Sequence, residues 1–206
     1  MVDGHSRQPA AVIDLDGTLY SRNSLRVYLR TALELHVRRL ALRRVAVIGA
    51  LWLARRLGLI GHETMKYRAL RAAGSSERLL ERFGARMKAC VNPAVAERVE
   101  ACRAAGYRVL LASAAAGFYV PLLWQGEMLV SPEGGPDLCG EAKRAAVARW
   151  LDDGGLELRL FMTDHIHALP LAIEARRRRA EVVIVDPAPR SAAAFAREGF
   201  TDFLRR

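Results

Sequence analysis

The sequence has few cysteines, no proline between residues 21 and 89, and no apolar run long enough to cross a membrane. The three cysteines, Cys90, Cys102 and Cys139, form neither a Cys-x-x-Cys pair nor a spacing typical of zinc, so we predict reduced structural thiols. The first nine residues carry no apolar stretch behind a basic start, which argues against a secretory signal and favours a cytoplasmic protein. With 206 residues, 51% of them hydrophobic, the chain can bury a substantial core.

Negative charge is scarce in one part of the chain. The formal net charge is +10, and residues 21–72 contain twelve Lys or Arg against two acidic residues, so this segment carries the whole excess. A surface this basic attracts anionic groups such as phosphates or lipid headgroups. A nucleic-acid partner is not expected, because the four arginines at 176–179 are typical of a solvated helix end whose charge complements the helix dipole.

Strands and helices alternate outside residues 21–89. Short apolar runs predict strands at residues 10–13, 107–112, 158–162 and 181–185, with an edge strand at 201–204. Helices are predicted at residues 92–105, 141–151, 168–179 and 191–198. The alternation predicts an α/β protein with a Rossmann-like parallel sheet flanked by helices, whose active site lies at the carboxyl ends of the strands.

Residues 21–89 are predicted to be helical, because Leu and Ala are frequent and proline is absent, with breaks at Gly49, Gly58 and Gly61. Within them, residues 45–53 are almost continuously apolar and are bracketed by a pair of arginines on each side. Such a segment suits either a buried helix or an interfacial helix on a membrane surface rich in anionic lipid. Burial is the favoured interpretation.

The most informative stretch is residues 11–20, which read Ala-Val-Ile-Asp-Leu-Asp-Gly-Thr-Leu-Tyr. A buried strand delivers Asp14 and Asp16 where the chain turns, and a turn through Gly17 is needed to bring both carboxylates towards one pocket. A carboxylate beside Mg²⁺ can attack phosphorus, and a second one can protonate the leaving oxygen and later activate water. The alternative is an Asp-Gly turn with solvated acids.

This stretch resembles the first motif of the haloacid dehalogenase (HAD) superfamily, Asp-x-Asp-Gly-Thr after a hydrophobic strand. The resemblance implies that Asp14 is the nucleophile, that Asp16 is the general acid and base, and that Thr18 helps to bind phosphate. It further implies an aspartyl-phosphate intermediate and a Mg²⁺ cofactor. It divides the chain into a core of residues 1–20 and 90–206 and an inserted all-helical cap of residues 21–89.

Two later segments resemble the next motifs in order. Residues 109–113 resemble the second motif, and residues 113–120 resemble the Ser-Ala-Ser-Pro-x-Phe-Tyr-Val form of phosphoserine phosphatase-like members, with two positions altered. Ser113 would bond a phosphoryl oxygen with help from backbone amides at the start of the next helix, or cap that helix. Residues 139–143 resemble the approach to the third motif, in which Lys143 would sit between nucleophile and phosphate.

The fourth motif of the family, Gly-Asp-Ser-x-x-Asp-x-Pro-Leu, is matched with one material departure. Asp164 keeps its first acid, and the resemblance makes it a Mg²⁺ ligand beside Asp14 and the backbone carbonyl of Asp16. Ala168 stands in place of the second acid. Since Mg²⁺ keeps several waters, loss of an outer acid is compatible with weaker binding.

Other residues near the predicted sheet edge bear on the metal. Asp186 follows the neighbouring strand and is a candidate to replace the missing acid in part. His165 and His167 indicate either a softer metal or exposed loop positions.

Two departures argue against phosphoserine as the substrate. Asn23 stands where phosphoserine phosphatases carry a Glu that holds the substrate amine, and Gly17 replaces their usual Ser. The sequence also resembles bacterial phosphatidylglycerophosphate phosphatases in Asp-Leu-Asp-Gly-Thr-Leu, in the long apolar and basic cap, and in the segment that contains Lys143.

We therefore predict a Mg²⁺-dependent phosphatase acting on a phosphorylated small molecule or lipid headgroup, cytoplasmic or peripheral at the membrane surface through its basic cap. The alternative is a degenerate HAD protein that binds a phosphorylated ligand or a partner without turnover. Ala168 and the altered second motif favour that alternative.

Overall fold

A six-stranded parallel sheet forms the centre of the computed structural model, which describes residues 7–205. The order across the sheet is β3-β2-β1-β4-β5-β6, and each neighbouring pair is parallel. The strands are β1 (Gln8–Ile13), β2 (Arg108–Ala116), β3 (Glu127–Ser131), β4 (Leu156–Thr163), β5 (Glu181–Val185) and β6 (Phe203–Leu204). The chain leaves β1 towards β2 on one side and later returns to β4 on the other, so the crevice at the carboxyl end of β1 is the expected ligand site.

Eight α-helices of the described chain flank the sheet. They are α1 (Ser24–Arg38), α2 (Leu42–Arg56), α3 (His62–Ala73), α4 (Glu77–Lys88), α5 (Pro93–Ala104), α6 (Gly140–Asp153), α7 (Leu169–Arg177) and α8 (Pro189–Arg197). The predicted Rossmann-like α/β architecture is confirmed. The four helices α1 to α4 fall within residues 21–89, which were predicted to be helical. The division of the chain into a core and a separate cap domain stays a prediction.

Two buried apolar clusters cover the two faces of the sheet. Successive β1 side chains alternate between them, because neighbouring residues of a strand point to opposite faces. Ile13 belongs to the cluster that contains Tyr28 of α1 and Phe83 of α4. Val12 belongs to the cluster that contains Phe195 of α8. Burial on both faces explains why the central strands are continuous apolar runs.

Some element boundaries differ from the predicted ones. β3 was not predicted, and β2 runs beyond residue 112 to residue 116. Gly49 lies inside α2 rather than at a break, since a single glycine costs a helix only about 1 kcal/mol. Gly58 and Gly61 do separate α2 from α3. All three cysteines are free, as predicted, and Cys102 is buried.

The favoured interpretation of residues 45–53 as a buried helix is wrong. Ile48 is the one buried residue of α2, whereas Trp52 is 42% exposed and Leu53 is 57% exposed. The helix packs against α1 and α3 along one edge and turns its remaining surface to solvent. Within residues 7–205, no helix combines the length and the apolar character that a membrane span requires.

Candidate active site

Asp14 follows β1 directly and lies at the centre of a buried polar cluster. Its backbone N–H donates to the carbonyl of Met162 at 3.0 Å, which extends the pairing of β1 with β4. Its Oδ2 accepts from Lys143 Nζ at 2.9 Å and from Thr163 Oγ1 at 3.3 Å. Its Oδ1 accepts from the backbone N–H of Leu15 at 2.9 Å. The carboxylate of the predicted nucleophile is therefore held in one orientation by three donors.

Lys143 reaches this carboxylate from the first turn of α6. The Lys143 and Asp14 side chains are only 4% and 10% exposed, so the ion pair is almost withdrawn from water. A buried charge without a partner destabilises the folded protein, so removing either member of the pair is expected to lower stability. The structure places the lysine beside the predicted nucleophile, while its contact with phosphate stays a prediction.

The turn after β1 packs closely against the carboxylate of Asp164, which follows β4. Gly17 has φ +80°, and a Cβ atom at this position would lie 2.0 Å from Asp164 Oδ2. Both the backbone conformation and the available space therefore require glycine. Thr18 is fully buried, and its hydroxyl donates to Asp164 Oδ1 at 3.4 Å. Its predicted contact with phosphate stays a prediction.

The Asp16 carboxylate is held by the start of α1. Its Oδ1 accepts from the backbone N–H of Ser24 at 2.8 Å, and its Oδ2 accepts from Ser24 Oγ at 3.0 Å and Asn23 Nδ2 at 3.1 Å. Ser24 Oγ also lies 3.1 Å from the hydroxyl of buried Tyr119. Sequence reasoning did not include Ser24 or Tyr119 in the site and treated Asn23 only as a departure from phosphoserine phosphatases. The preference of Asn for helix starts was the available signal.

Burial and crowding of the carboxylates shift their ionisation. Burial away from water, and to a smaller extent the nearby Asp14 charge, raise the pKa of Asp16 to about 6, although the hydrogen bonds from Ser24 act to lower it. Loss of water and then the Asp14 charge raise the pKa of Asp164 to about 7. A carboxyl group with a pKa near 6 is partly protonated close to neutral pH, as a general acid needs to be.

Ser113 lies inside β2 rather than before a helix. It is buried, and its Oγ accepts from the backbone N–H of Ala115 at 3.1 Å. The helix start predicted to follow it is absent: residues 117–126, between β2 and β3, are all described, and the one helical element among them is a 3₁₀ turn at Val120–Leu122. The chain after Ser113 is instead anchored by Lys66 of α3, whose Nζ donates to the Ala114 carbonyl at 2.6 Å. The predicted phosphate contact of Ser113 itself stays a prediction.

Residues 11–173 match the model of the haloacid dehalogenase-like hydrolases. The chain belongs to this family. The predicted superfamily and hydrolase class are thereby confirmed. No curated protein matches the sequence.

Solved structures similar to this HAD hydrolase share its fold along nearly the whole chain. A protein of unknown function from Bordetella pertussis Tohama I has a TM-score of 0.69 at 18% identity, covering 97% of this chain and 99% of that one. A HAD family hydrolase from Salmonella enterica serovar Typhi has a TM-score of 0.65 at 12% identity, covering 97% and 68%. A phospho-aspartyl intermediate analogue of phosphoserine phosphatase has a TM-score of 0.60 at 11% identity, covering 97% and 94%.

The oxygen donors of this HAD hydrolase suit Mg²⁺, which proteins commonly hold with one or two carboxylates, substrate phosphate and water. In the predicted ligand set, Asp14 and Asp164 would offer the carboxylates and the main chain of Asp16 would offer a carbonyl; this assignment stays a prediction. Among the described residues, no three His, Cys, Asp or Glu side chains are grouped to hold an ion. The Asp16 carboxylate does not complete such a group, because both of its oxygens already accept hydrogen bonds from Ser24 at the start of α1.

The remaining candidate ligands make other contacts in the structure. Asp186 is not grouped with two other ligand side chains in residues 7–205, and its Oδ1 lies 3.6 Å from an Arg205 nitrogen. His165 and His167 stack on one another with ring centroids 4.7 Å apart. Ala168 is 1% exposed and packs in the apolar cluster with residues of α7. The position of the missing acid therefore belongs to the core.

Asp164→Asn is expected to stabilise the metal-free protein at about pH 8. The pKa of Asp164 is raised from 3.8 to about 7, so native Asp164 binds a proton that the unfolded chain releases, and stability falls as pH rises from about 4 to about 7. Asn removes this cost, and we expect a gain of roughly 1–2 kcal/mol after solvent screening. Urea unfolding in a chelator, at about pH 5 and about pH 8, measures it.

The matched control is Asp186→Asn, because Asp186 is outside the carboxylate pair and Asn tolerates its positive φ of 38°. This control is expected to show no gain at either pH. Equal stability of wild type and Asp164→Asn at about pH 8 would contradict the prediction.

Proposed function

We propose that the protein is a Mg²⁺-dependent phosphatase that hydrolyses a phosphomonoester through an aspartyl-phosphate on Asp14. The observation that carries the proposal is the buried Asp14 carboxylate, which Lys143 and Thr163 orient. Asp16 lies on the same turn with a pKa raised to about 6. Membership of the haloacid dehalogenase-like hydrolases supports it, as does the fold shared with a phosphoserine phosphatase.

The two acids divide the reaction between them. A carboxylate oxygen of Asp14 would bond to phosphorus while the bond to the leaving alkoxide breaks, and protonated Asp16 would give its proton to that alkoxide. Asp16 would then take a proton from water, whose oxygen attacks phosphorus, so that phosphate leaves and Asp14 is restored. Lys143 offsets the repulsion between the Asp14 carboxylate and the phosphoryl group.

Asp14, Asp164 and the backbone carbonyl of Asp16 would hold the Mg²⁺. When bound, the ion supplies positive charge against the developing charge of the phosphoryl oxygens. The pKa of Asp164, raised to about 7 by burial and by the Asp14 charge, supports this assignment, because a bound cation would offset the repulsion between the two carboxylates.

The substrate we infer carries negative charge beyond its phosphomonoester, as an anionic lipid or a similar compound does. A cleft of about 920 Å³ begins at Asn23, which touches Asp16, and extends along α1. Arg26 and Arg30, four residues apart on one side of α1, line it together with Arg22, which lies just before the helix, and Glu34, which pairs with Arg30. All three arginines are exposed to solvent and so to a ligand in the cleft.

Hydrolysis of p-nitrophenyl phosphate across a Mg²⁺ titration tests the reaction, and phosphomonoesters with and without a second anionic group test the substrate class. We expect turnover that requires Mg²⁺ and a lower KM for the doubly anionic esters. Folded protein that hydrolyses none of these esters, including a phospholipid with a terminal phosphomonoester, would overturn the proposed activity.

The burial of Ala168 favours one second candidate, a ligand-binding HAD protein without turnover. Its position in the apolar core leaves the motif without its second acid. Calorimetry with inorganic phosphate separates the two candidates: binding of phosphate in protein that hydrolyses no ester would assign the second one.

A further inference from the structure

Large apolar side chains are exposed mainly in one short stretch of the described chain. Eight of the eleven exposed large hydrophobic residues fall within residues 37–59, here called the α2 surface. They are Val37, Leu40, Leu42, Val47, Trp52, Leu53, Leu57 and Leu59. Single exposed apolar residues are ordinary on a protein surface, but a concentration of this kind marks an interaction site.

α2 is apolar both on the side that packs against the protein core and on the opposite, solvent-exposed side, here called its outer face. Ile48 is buried and Leu51 packs partly buried against the same core cluster. Residues 42, 46, 50, 53 and 57 are Leu, Ala, Ala, Leu and Leu, they follow a helical repeat, and all five are exposed. A helix on a water-exposed surface normally carries charged residues on its outer face. The outer face of α2 therefore suits an apolar environment.

The charges of the α2 surface have one sign. Residues 35–62 contain no Asp or Glu. They contain six arginines, all exposed, namely Arg38, Arg39, Arg43, Arg44, Arg55 and Arg56. The matching partner must offer apolar groups and negative charge together. A second copy of the same surface fits poorly, because it would bring arginines against arginines.

We propose that the α2 surface docks the protein on an anionic phospholipid bilayer, with α2 lying in the plane of the interface. The leucines would insert among the lipid acyl chains, and the arginines would pair with the lipid phosphates. Trp52 is of a residue type that is enriched at the membrane–water interface. The helix has 15 residues, about 22 Å, which suits an interfacial position and is too short for a span.

The docking surface is distinct from the active site. α1 begins at Ser24, which binds the Asp16 carboxylate, and ends at Arg38 in the α2 surface; its 15 residues span about 22 Å. The inference therefore does not depend on the proposed phosphatase activity. It is tested by binding alone.

The experiment is cosedimentation of the full chain with phosphatidylcholine vesicles, with and without phosphatidylglycerol. We expect binding that needs the anionic lipid, weakens with added salt, and shifts the Trp52 emission to shorter wavelength. Leu53→Glu combined with Leu57→Glu is expected to lower the partition coefficient at least about tenfold. Arg55→Gln combined with Arg56→Gln should lower it about fivefold per arginine.

Leu122→Glu is the matched control, because Leu122 is 45% exposed but lies outside the α2 surface. It is expected to bind vesicles like wild type. Three outcomes would each overturn the proposal: equal binding to vesicles with and without phosphatidylglycerol, unchanged binding of the double Glu variant, or a dimer that this variant dissociates in protein that binds no vesicles.

Discussion

Asp14→Asn is expected to lower kcat/KM for a phosphomonoester by at least about 10,000-fold in the presence of Mg²⁺. The amide keeps the shape of the side chain and can still accept from the Leu15 N–H, which approaches Oδ1 in the wild type at 2.9 Å. It offers no carboxylate to form an acyl phosphate. Steady-state kinetics gives the loss, and mass spectrometry of acid-quenched protein tests for a phosphoenzyme that the variant does not form.

The matched control is Asp152→Asn at the exposed end of α6, which leaves the polar cluster intact and is expected to stay within about twofold of wild type. Circular dichroism verifies that Asp14→Asn is folded, since the variant leaves Lys143 without its carboxylate. Activity of Asp14→Asn within tenfold of wild type would show that Asp14 is not the nucleophile.

Asp14 and Lys143 could be predicted as site residues because the motifs that contain them occur in the family's order along the chain. The two residues are 129 positions apart in the sequence, and in the structure Lys143 Nζ lies 2.9 Å from Asp14 Oδ2. Thr163 was missed although it directly precedes Asp164 at the end of β4, where its hydroxyl reaches Asp14. Side chains at the carboxyl ends of parallel strands converge, so that topology was a usable signal.

The network behind Asp16 could not be predicted in the same way. Tyr119 meets Ser24 across 95 residues, and no local pattern distinguishes such a tyrosine from one that packs in the core. Its ring does pack there, stacked on Tyr28 with centroids 5.4 Å apart. One side chain therefore serves both packing and the polar network, which only the folded chain reveals.

The central strands were predictable because burial on both faces makes their sequences uniformly apolar. β3 was missed because it has five residues at the edge of the sheet and is mostly half-buried, so its pattern is weak. The exposure of α2 was missed for a different reason. An apolar run has the same sequence pattern in a buried helix and in an interfacial helix. The two could be separated only in the structure, where α1 and α3 cover one edge of α2 and leave its other faces exposed.

Lys143→Met is expected to lower kcat/KM about 100- to 1,000-fold, because it removes the positive charge that offsets repulsion between Asp14 and the phosphoryl group. Met nearly fills the volume of the lysine stem, so packing changes little. The variant also leaves the Asp14 carboxylate buried without its cation, and breaking a buried pair costs about 3–5 kcal/mol of stability.

The stability lost in Lys143→Met should be partly restored by also removing the charge of Asp14. In metal-free protein, adding Asp14→Asn to Lys143→Met removes the remaining charge. The amide oxygen can accept from the Leu15 N–H in place of Oδ1, and the amide NH2, in place of Oδ2, can donate to the Thr163 hydroxyl. The double variant should therefore be more stable than Lys143→Met alone, with a coupling free energy of about 2–3 kcal/mol in a double-mutant cycle measured by urea unfolding. Additive losses would mean that the two charges act independently. The 2.9 Å contact would then not be the interaction that balances the buried carboxylate.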